Sequence, residues 1–367
     1  MQKLSLTKPD GRRLWLYSRT GTLEAGPAPS PLGWEHDAGS RHAHLRWHPL
    51  RGEWVAYATH RQQRTFLPPA EFNPLAPTTD PRTPTELPSG SYDVAVFENR
   101  FPTFSEHPGA PPASIVETAP AAGAAEVVVF TQDQSASLGA LPLPHIELLF
   151  QVWRDRYIDL GSRDAVQYVL VFENRGVEVG VTLHHPHGQI YAYPFVPPVA
   201  ARELEQQRAY YDRHRRGLLQ SIVDAERRDG RRIILDERRA VAFMPAFARY
   251  AYEVWIAPAD PIPSLAEMDG STCAALARAL KGTLLKYDGL WSKPFPYVMV
   301  FHQAPTDGLP HPEAHLHVEF YPAYRMPGRL KYLAGSELGA GLFTADTLPE
   351  DKAAELRAVD VTALVNA

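Results

Sequence analysis

The sequence predicts an α+β fold made of two fused copies of one unit, each an antiparallel sheet with a helix packed against it. The first observation behind this prediction is a pair of β-branched strand candidates, YVLVF at 168–172 and YVMVF at 297–301. The second is a helix-period apolar pattern before each strand, at 146–160 and at 273–287. Short apolar runs can resemble one another by chance, but these blocks recur in one order at a nearly constant offset, which indicates an internal duplication.

Each copy is predicted to run as strand, helix, strand, loop, strand. In the first copy the helix begins behind two prolines, because proline suits the first helical turn. The first strands of the two copies are EVVVF at 126–130 and EVWIA at 253–257, and the last strands are HPHGQIY at 185–191 and HLHVEFY at 315–321.

The duplication divides the chain into three parts. An N-terminal segment, 1–94, precedes both copies, and the first and second units occupy 95–235 and 236–367. A charged helical stretch at 201–228 is expected to connect the units, with Gly230 past its end as a stop signal.

The prolines are the unusual feature of the composition. There are 35 of them, clustered at 66–88 and 101–120. Interleaved aromatic side chains, Phe72 and Phe104 among them, favour ordered loops in these stretches over disordered linkers.

Composition and charge exclude several classes of function. The 367 residues carry a formal net charge of −5 without a basic run, which argues against binding to nucleic acid or to an anionic membrane. The apolar runs are far shorter than the ~20 residues of a spanning helix, and the start lacks a secretory signal, so a cytoplasmic protein is expected. The single cysteine, Cys273, can form neither an intramolecular disulfide nor a thiolate zinc site.

The HPHGQIY strand brings two imidazoles and an amide to one surface. Side chains alternate along a strand, so His185, His187 and Gln189 project to the same side, and the second copy places His315 and His317 likewise. The spacing alone fits a metal site or two structural histidines at least as well as a nucleophile. A nucleophile additionally needs a free ring nitrogen facing an electrophile and a partner for the other nitrogen.

Other polar residues suggest an anion pocket near this strand. Asn174 and the glycines that flank the strand offer donors that could cradle a phosphate. Arg61 and Arg64 could add bidentate contacts to phosphate oxygens, although solvated surface arginines are the simpler interpretation of these two residues alone.

Several motifs together resemble the galactose-1-phosphate uridylyltransferases, a family within the histidine-triad superfamily. The resemblance runs from about residue 45 to 360, and the duplication found above is this family's duplication. Its motifs are HPHGQIYA at 185–192, WHPLRGEWV at 47–55, FENRFP at 97–102, VFENRG at 171–176, HVEFYP at 317–322 and KYLAGSE at 331–337. The fold implied is a pair of histidine-triad-like half-barrel units.

The resemblance implies a ping-pong transfer of a uridylyl group that requires no cofactor for the chemistry. His187 matches the nucleophile, which attacks the α-phosphorus of UDP-glucose, releases glucose 1-phosphate and forms a uridylyl-histidine. Galactose 1-phosphate then attacks this intermediate to give UDP-galactose. Imidazole suits both steps, because it is nucleophilic when neutral and leaves phosphorus readily.

The resemblance also assigns substrate contacts residue by residue. Gln189 matches a donor to a non-bridging phosphate oxygen. His185 is grouped with His187 and Gln189 as a catalytic residue that orients its neighbours. Thr182 stands where the family often has serine. A hexose-binding stretch, which in the family crosses the interface of a homodimer, departs from the family at Ser336 and Phe343. The substrate-binding positions implied are Arg61, Arg64, Asn99, Asn174, Gly180, Thr182, Lys331 and Glu337.

Well-studied relatives carry two metal sites, and the resemblance implies that only one persists here. The cysteine-containing zinc site is predicted to be absent, because Asn73, Ala76 and Gln134 stand where its other ligands would be and only His185 remains. A structural divalent metal, for which zinc, iron or manganese is suited, is expected at the second site, with a polar cluster that binds no metal as the alternative. The matching positions there are Glu203, His302, His317 and Glu319.

Two alternatives remain open at this point. A related nucleotidyl transferase or phosphorylase could use the same histidine with another nucleotide sugar or with phosphate. This alternative stays open because Arg100, Ser336 and Phe343 differ from the residues that the family often has at these positions. A nucleotide-binding protein without turnover is the other alternative. It is disfavoured because both His187 and Gln189 are present.

Overall fold

A computed structural model describes residues 1–31, 43–63, 67–69 and 72–365. The strands described are β1 (Gln2–Thr7), β2 (Arg13–Ser18), β3 (Glu24–Ala25), β4 (His44–His48), β5 (Glu53–Tyr57), β6 (Gly90–Ser91), β7 (Val94–Glu98), β8 (Thr118–Pro120), β9 (Ala124–Val129), β10 (Tyr168–Arg175), β11 (His187–Tyr193), β12 (Ile233–Asp236), β13 (Ala240–Phe243), β14 (Val254–Pro258), β15 (Tyr297–His302), β16 (His317–Pro322), β17 (Tyr324–Met326) and β18 (Arg329–Leu330). The helices described are α1 (Leu143–Gly161), α2 (Pro198–His214), α3 (Leu218–Asp229), α4 (Gly270–Leu290), α5 (Pro349–Ala358) and α6 (Thr362–Val365).

Eleven strands form one antiparallel sheet whose order is symmetric about its middle. The order is β1-β2-β7-β9-β11-β10-β15-β16-β14-β13-β12, so the second copy repeats the first outward from the β10–β15 pair. This arrangement confirms the predicted α+β fold of two fused units. The repeat extends beyond the predicted blocks, because β7 and β13, and then β2 and β12, occupy equivalent places. The sheet also takes β1 and β2 from the segment 1–94.

Helices α1 and α4 cover one face of the sheet and bury its core. The predicted helical positions of α1 are buried, including Ile146, Leu149 and Trp153, and the Trp153 ring lies against Phe301 of the second copy. Helix α4 begins where the Asp269 side chain accepts a hydrogen bond from the Thr272 amide at 2.7 Å. One core therefore joins the two copies.

Within the described part of the chain, the opposite face of the sheet is partly accessible in the first copy and covered in the second. Along β11, Gly188, Ile190 and Ala192 are buried under α1, whereas His187 and Gln189 are only half-buried. Helix α2 approaches the second copy's face and brings Glu203 to it. The alternation predicted for the histidine strand is thus present.

The segment between the copies is two helices rather than the single stretch expected. Helix α2 ends at a left-handed Arg215, with φ of 52°, whose amide bonds to the Tyr211 carbonyl at 2.7 Å. Gly217 then precedes α3, and Gly230 ends α3 in a left-handed conformation as the sequence predicts. The proline-rich loop at 72–88 is anchored by buried Leu75 and Leu87, not by Phe72, whose side chain is exposed.

The helices can be compared with the length and apolar character that a membrane crossing requires. Within the described ranges, no helix combines the length and the apolar character needed to cross a bilayer.

Candidate active site

Strand β11 carries the predicted nucleophile at a fixed register. His187 lies opposite Val129 of β9, and Gln189 lies between Val127 of β9 and Phe172 of β10. The intervening Gly188 has no alternative, since a Cβ there would lie 2.9 Å from both the Phe130 ring and the Phe172 carbonyl oxygen. The close approach at this glycine therefore comes from the core side of the sheet.

The His187 ring is held with one nitrogen protonated and the other available. Its Nδ1 lies 2.7 Å from the carbonyl oxygen of His185, and a carbonyl can only accept, so Nδ1 carries the proton. In a neutral imidazole Nε2 is then the basic atom. Burial lowers the pKa of His187, which favours this neutral form near pH 7.

His185 is buried and is held by a network of neutral groups. Its Nε2 donates to the Thr131 carbonyl at 2.7 Å, so its Nδ1 accepts from the Asn73 amide nitrogen at 2.9 Å. The same Asn73 nitrogen donates to Gln134 Oε1 at 3.0 Å. Among the described residues, the groups that meet here are one imidazole and two amides with no carboxylate ligand, and this set does not fit a zinc ion, which prefers four ligands from Cys, His and carboxylates.

One of the predicted phosphate-side residues is placed beside β11 by the strand register. Asn174 is two residues from Phe172 on β10 and therefore shares a face with Gln189. Gly180 is exposed in a left-handed turn with φ of 79°, and the carbonyl of Thr182 accepts from the Leu67 amide at 2.8 Å. Both residues belong to the loop that leads from β10 to β11.

The predicted basic and uridine-side residues have mixed outcomes. Arg61 reaches the nucleophile strand, because its Nη1 donates to the Tyr191 hydroxyl at 3.0 Å and to the Phe101 carbonyl at 3.1 Å. Asn99 Oδ1 accepts from the Phe101 amide at 2.8 Å and so shapes the adjoining turn. Arg64 lies outside the described residues.

The predicted hexose-binding pair is brought together in the C-terminal segment. Lys331 Nζ lies 3.6 Å from Glu337 Oε1 and donates to the Thr344 carbonyl at 2.8 Å. The Glu337 carboxylate also accepts from the amides of Ala334 and Thr344. The pair thus belongs to one folded turn of that segment.

The four predicted metal ligands converge on the second copy. Glu203 comes from α2, His302 from β15, and His317 and Glu319 from β16, and one ligand atom from each lies within 4.8 Å of the others. His302 Nδ1 is 2.8 Å from Glu203 Oε2 yet lacks hydrogen-bond geometry, which leaves a buried polar atom without a partner. Such an orphaned nitrogen beside a carboxylate fits a shared cation.

The electrostatics of this cluster favour positive charge. Burial opposes charge on His302, but Glu319 and Glu203 outweigh it and raise the pKa of His302 to about 9. The sequence did not indicate two further neighbours of Glu319. Arg249 Nη2 lies 3.3 Å from Glu319 Oε2, and the Tyr321 hydroxyl donates to the same oxygen.

The two copies use one hydrogen-bond pattern for their histidines. In the second copy His315 Nε2 donates to the Pro258 carbonyl at 3.0 Å and His317 Nδ1 donates to the His315 carbonyl at 2.9 Å. The copies differ two residues further along the strand. His317 Nε2 lies 3.3 Å from the Glu319 carboxylate, whereas the first copy has the neutral Gln189 there.

Family models of known proteins match both halves of the chain. The model described as galactose-1-phosphate uridyl transferase, N-terminal domain, matches residues 34–197, and the corresponding C-terminal domain matches residues 203–364. The chain belongs to the galactose-1-phosphate uridylyltransferase family. The family resemblance inferred from the motifs is therefore confirmed.

Individual relatives of this family are similar over nearly the whole chain. A galactose-1-phosphate uridylyltransferase from Thermotoga maritima is 36% identical over 324 residues, which are 86% of this chain and 98% of the relative. One from Streptomyces lividans is 33% identical and covers 87% of each chain. A solved structure of a uridylyltransferase has 36% identity and a TM-score of 0.77, over 86% of this chain and 98% of that one.

Membership of the galactose-1-phosphate uridylyltransferase family makes the chain a nucleotidyl transferase. The catalytic, substrate-binding and metal-binding roles assigned to individual residues stay predictions. The features that the sequence did not indicate, the Arg61–Tyr191 bond and the Asn73–Gln134–His185 network, join residues that lie far apart along the chain. No spacing rule could have predicted them.

Proposed function

We propose that this chain transfers a uridylyl group from UDP-glucose to galactose 1-phosphate through a covalent intermediate on His187. The observation that carries the proposal is the hydrogen bond from His187 Nδ1 to the His185 carbonyl, because it leaves Nε2 unprotonated on the open face of the sheet. The names of the relatives supply galactose 1-phosphate and the uridylyl group, the family resemblance supplies UDP-glucose as the donor, and the geometry supports the nucleophile.

The first half-reaction needs no proton transfer. The Nε2 lone pair forms a bond to the α-phosphorus, and the bond from that phosphorus to the bridging oxygen breaks, so glucose 1-phosphate leaves with the electron pair. The product imidazolium keeps its Nδ1 proton, and the His185 carbonyl stabilises the new positive charge. A phosphate oxygen of galactose 1-phosphate then attacks the same phosphorus, and the P–N bond breaks to regenerate neutral His187.

Gln189 is proposed to stabilise the charge at phosphorus. It lies two residues from His187 on the same face of β11, so its amide can donate to a non-bridging oxygen. Asn174, Gly180, Thr182 and Arg61 are proposed to bind the phosphates from the surrounding face and loops. His185 acts through its carbonyl rather than through its ring.

A structural divalent metal is proposed at Glu203, His302, His317 and Glu319. Two imidazoles and two carboxylates suit zinc or iron, and the ion would tie α2 to the sheet of the second copy. The reaction at His187 does not need this ion, because the strands of the cluster, β15 and β16, lie two and three steps from β11 in the sheet, roughly 10–14 Å by strand spacing.

A homodimer is proposed through the C-terminal segment. Large apolar side chains are exposed along it, with Tyr332 at 76%, Leu338 at 62% and Leu342 at 67%. Several exposed large apolar side chains within one short segment are typical of an interface. A partner copy there would place Lys331 and Glu337 beside the interface, as expected of a hexose-binding stretch.

The test is the intact mass of the protein after incubation with UDP-glucose alone. We expect the gain of one uridylyl group, labile to acid, and its discharge by galactose 1-phosphate. His187→Ala should abolish the gain, whereas the matched control His184→Ala, at an exposed neighbouring histidine, should retain it. An adduct formed only from another nucleotide sugar would refute the donor, and an adduct retained by His187→Ala would refute the nucleophile.

A further inference from the structure

A loop-to-loop contact next to the nucleophile has no counterpart in the second copy. The loop at 72–76 and the loop at 131–135 meet at the His185 ring, where Asn73 donates from one nitrogen to Gln134 Oε1 at 3.0 Å and to His185 Nδ1 at 2.9 Å. In the second copy, His315 Nδ1 is buried and has no hydrogen-bond partner among the described residues. The contact is therefore specific to the copy that carries the nucleophile.

The donors and acceptors of this network determine one another. Thr131 offers only a carbonyl to His185 Nε2, so that nitrogen must donate and Nδ1 must accept. Asn73 is the group that can satisfy Nδ1, because its amide nitrogen supplies two protons and Gln134 takes the second. The Asn73 oxygen is also used, since it accepts from the Leu75 amide at 3.0 Å and so fixes the amide orientation.

The effect of the network reaches the nucleophile through the main chain. The His185 carbonyl is the acceptor for His187 Nδ1–H at 2.7 Å. A His185 ring fixed at both nitrogens cannot rotate, so its own backbone and the carbonyl that it carries are held in one orientation. That carbonyl determines which His187 nitrogen carries the proton.

We propose that Asn73 and Gln134 are positioning residues for the transfer reaction: they form a metal-free clamp on His185 that orients its carbonyl and keeps His187 Nε2 available for phosphorus. Asn73, Gln134 and His185 are neutral, and together they do not fit a zinc ion. Hydrogen bonds rather than a metal therefore hold the His185 ring. The inference rests on the proposed role of His187 as nucleophile.

The size of the effect follows from the geometry of attack. Reacting atoms must be held near 3–3.5 Å apart and aligned, and a displacement of about 1 Å can cost on the order of 100-fold in rate. The His185 ring is 2% exposed and is bonded at both nitrogens to protein groups, so it offers no contact to a substrate. Its loss should thus lower the rate of uridylyl transfer and leave the affinity for UDP-glucose nearly unchanged.

The experiment compares Asn73→Leu, Gln134→Leu and the double variant in the full chain. Rapid-quench measurement of uridylyl-enzyme formation gives the rate constant and the apparent dissociation constant of UDP-glucose separately. We expect a 10- to 100-fold lower rate constant for Asn73→Leu, a smaller loss for Gln134→Leu, and a double variant no slower than Asn73→Leu. The apparent dissociation constant should stay within about threefold of the original, since no substrate contact is lost.

Gln132→Leu is the matched control. Gln132 lies in the same loop as Gln134, but its amide donates to the Tyr92 carbonyl at 2.8 Å and does not touch His185. This variant should react like the unmodified protein. Nitrogen-15 NMR of histidine-labelled protein adds a readout without substrate: the His187 Nδ1–H tautomer should dominate in the unmodified protein and mix with the other tautomer in Asn73→Leu.

The outcomes separate this inference from the proposed function. An unmodified protein that forms no uridylyl adduct overturns the role of His187 and the clamp with it. An adduct that forms equally fast in Asn73→Leu, with the His187 tautomer unchanged, overturns the clamp and leaves the nucleophile standing. Equal losses in Gln132→Leu and Gln134→Leu also overturn it, because they would reflect general loosening of the loop.

Discussion

Exchanging one residue of the first copy for its counterpart in the second tests whether the side chain beside the imidazole decides the proposed reactivity of His187. Gln189→Glu is nearly isosteric and gives β11 the carboxylate that β16 has at Glu319. In the second copy that carboxylate lies 3.3 Å from His317 Nε2. The shared backbone pattern of the two strands predicts a similar approach of a carboxylate at position 189 to His187 Nε2.

The magnitude follows from that distance. Two unit charges 3.3 Å apart interact by roughly 5 kcal/mol at an effective dielectric constant of about 20. Position 189 is half-exposed, so we reduce this to roughly 2–3 kcal/mol. The carboxylate would favour the protonated form of His187 and repel the incoming phosphate. Each 1.36 kcal/mol is a factor of ten, so a loss of roughly 30- to 150-fold is expected in the rate of uridylyl-enzyme formation near pH 7.

The pH dependence distinguishes charge from shape. Burial lowers the pKa of His187 in the unmodified protein, so its nucleophilic form is already dominant near neutral pH. In Gln189→Glu the carboxylate raises that pKa, and the rate should recover as the pH rises through the raised value. Gln189→Leu removes the amide without adding charge and should lose rate without this recovery.

The assay is rapid-quench formation of the uridylyl-enzyme from UDP-glucose between pH 6 and 9. A Gln189→Glu variant that reacts within threefold of the unmodified protein at every pH would show that the residue at 189 does not decide reactivity. A large loss without recovery at high pH would show that the amide donor matters and the charge on His187 does not.

Three further predictions concern stability and metal content. Arg156→Met should lower the free energy of unfolding, measured in urea, by about 3–5 kcal/mol, because it leaves the Glu126 carboxylate buried without the partner that lies 2.7 Å away. Adding Glu126→Gln to this variant should restore most of the lost stability, and a failure to restore it would contradict the ion-pair explanation. Burial raises the pKa of Glu173 to about 7, against 4.5 for a free glutamate, so the free energy of unfolding should fall as the pH rises from 4.5 to 7. The fall should be smaller in Glu173→Gln, and an unchanged pH profile of stability in this variant would contradict the role of Glu173. The purified protein should contain about one zinc or iron per chain by elemental analysis, and His302→Ala should lose it together with several degrees of thermal stability; equal metal content in both proteins would contradict the proposed site.

The sequence predicted those features that depend on local periodicity. The repeated strands and helices could be recognised because β-branched runs and 3.6-residue patterns are visible in any window, and the alternation of β11 follows from strand geometry. The metal cluster was reached by family resemblance, which pointed to Glu203 on α2 as well as to the strand residues.

The features that escaped prediction depend on contacts between distant segments. Asn73 and Gln134 read separately as replaced zinc ligands, and only the fold shows that they bond to each other and to His185. The break at Arg215 was missed because a left-handed non-glycine residue has no sequence signal. The equivalence of β2 and β12 escaped for a similar reason, since their sequences carry too few shared residues to align.

The two copies together suggest how one duplicated unit can hold both the proposed nucleophile and the proposed metal cluster. Both histidine strands orient the second imidazole by the same main-chain carbonyl, so the tautomer that makes Nε2 basic is a property of the repeated backbone. In the second copy that nitrogen faces the Glu319 carboxylate, and α2 lies over the strand. In the first copy the neutral Gln189 and an open face leave the same nitrogen for an electrophile. A basic imidazole nitrogen binds a cation where carboxylates surround it and attacks phosphorus where donors surround it, so the neighbours of the ring decide its chemistry.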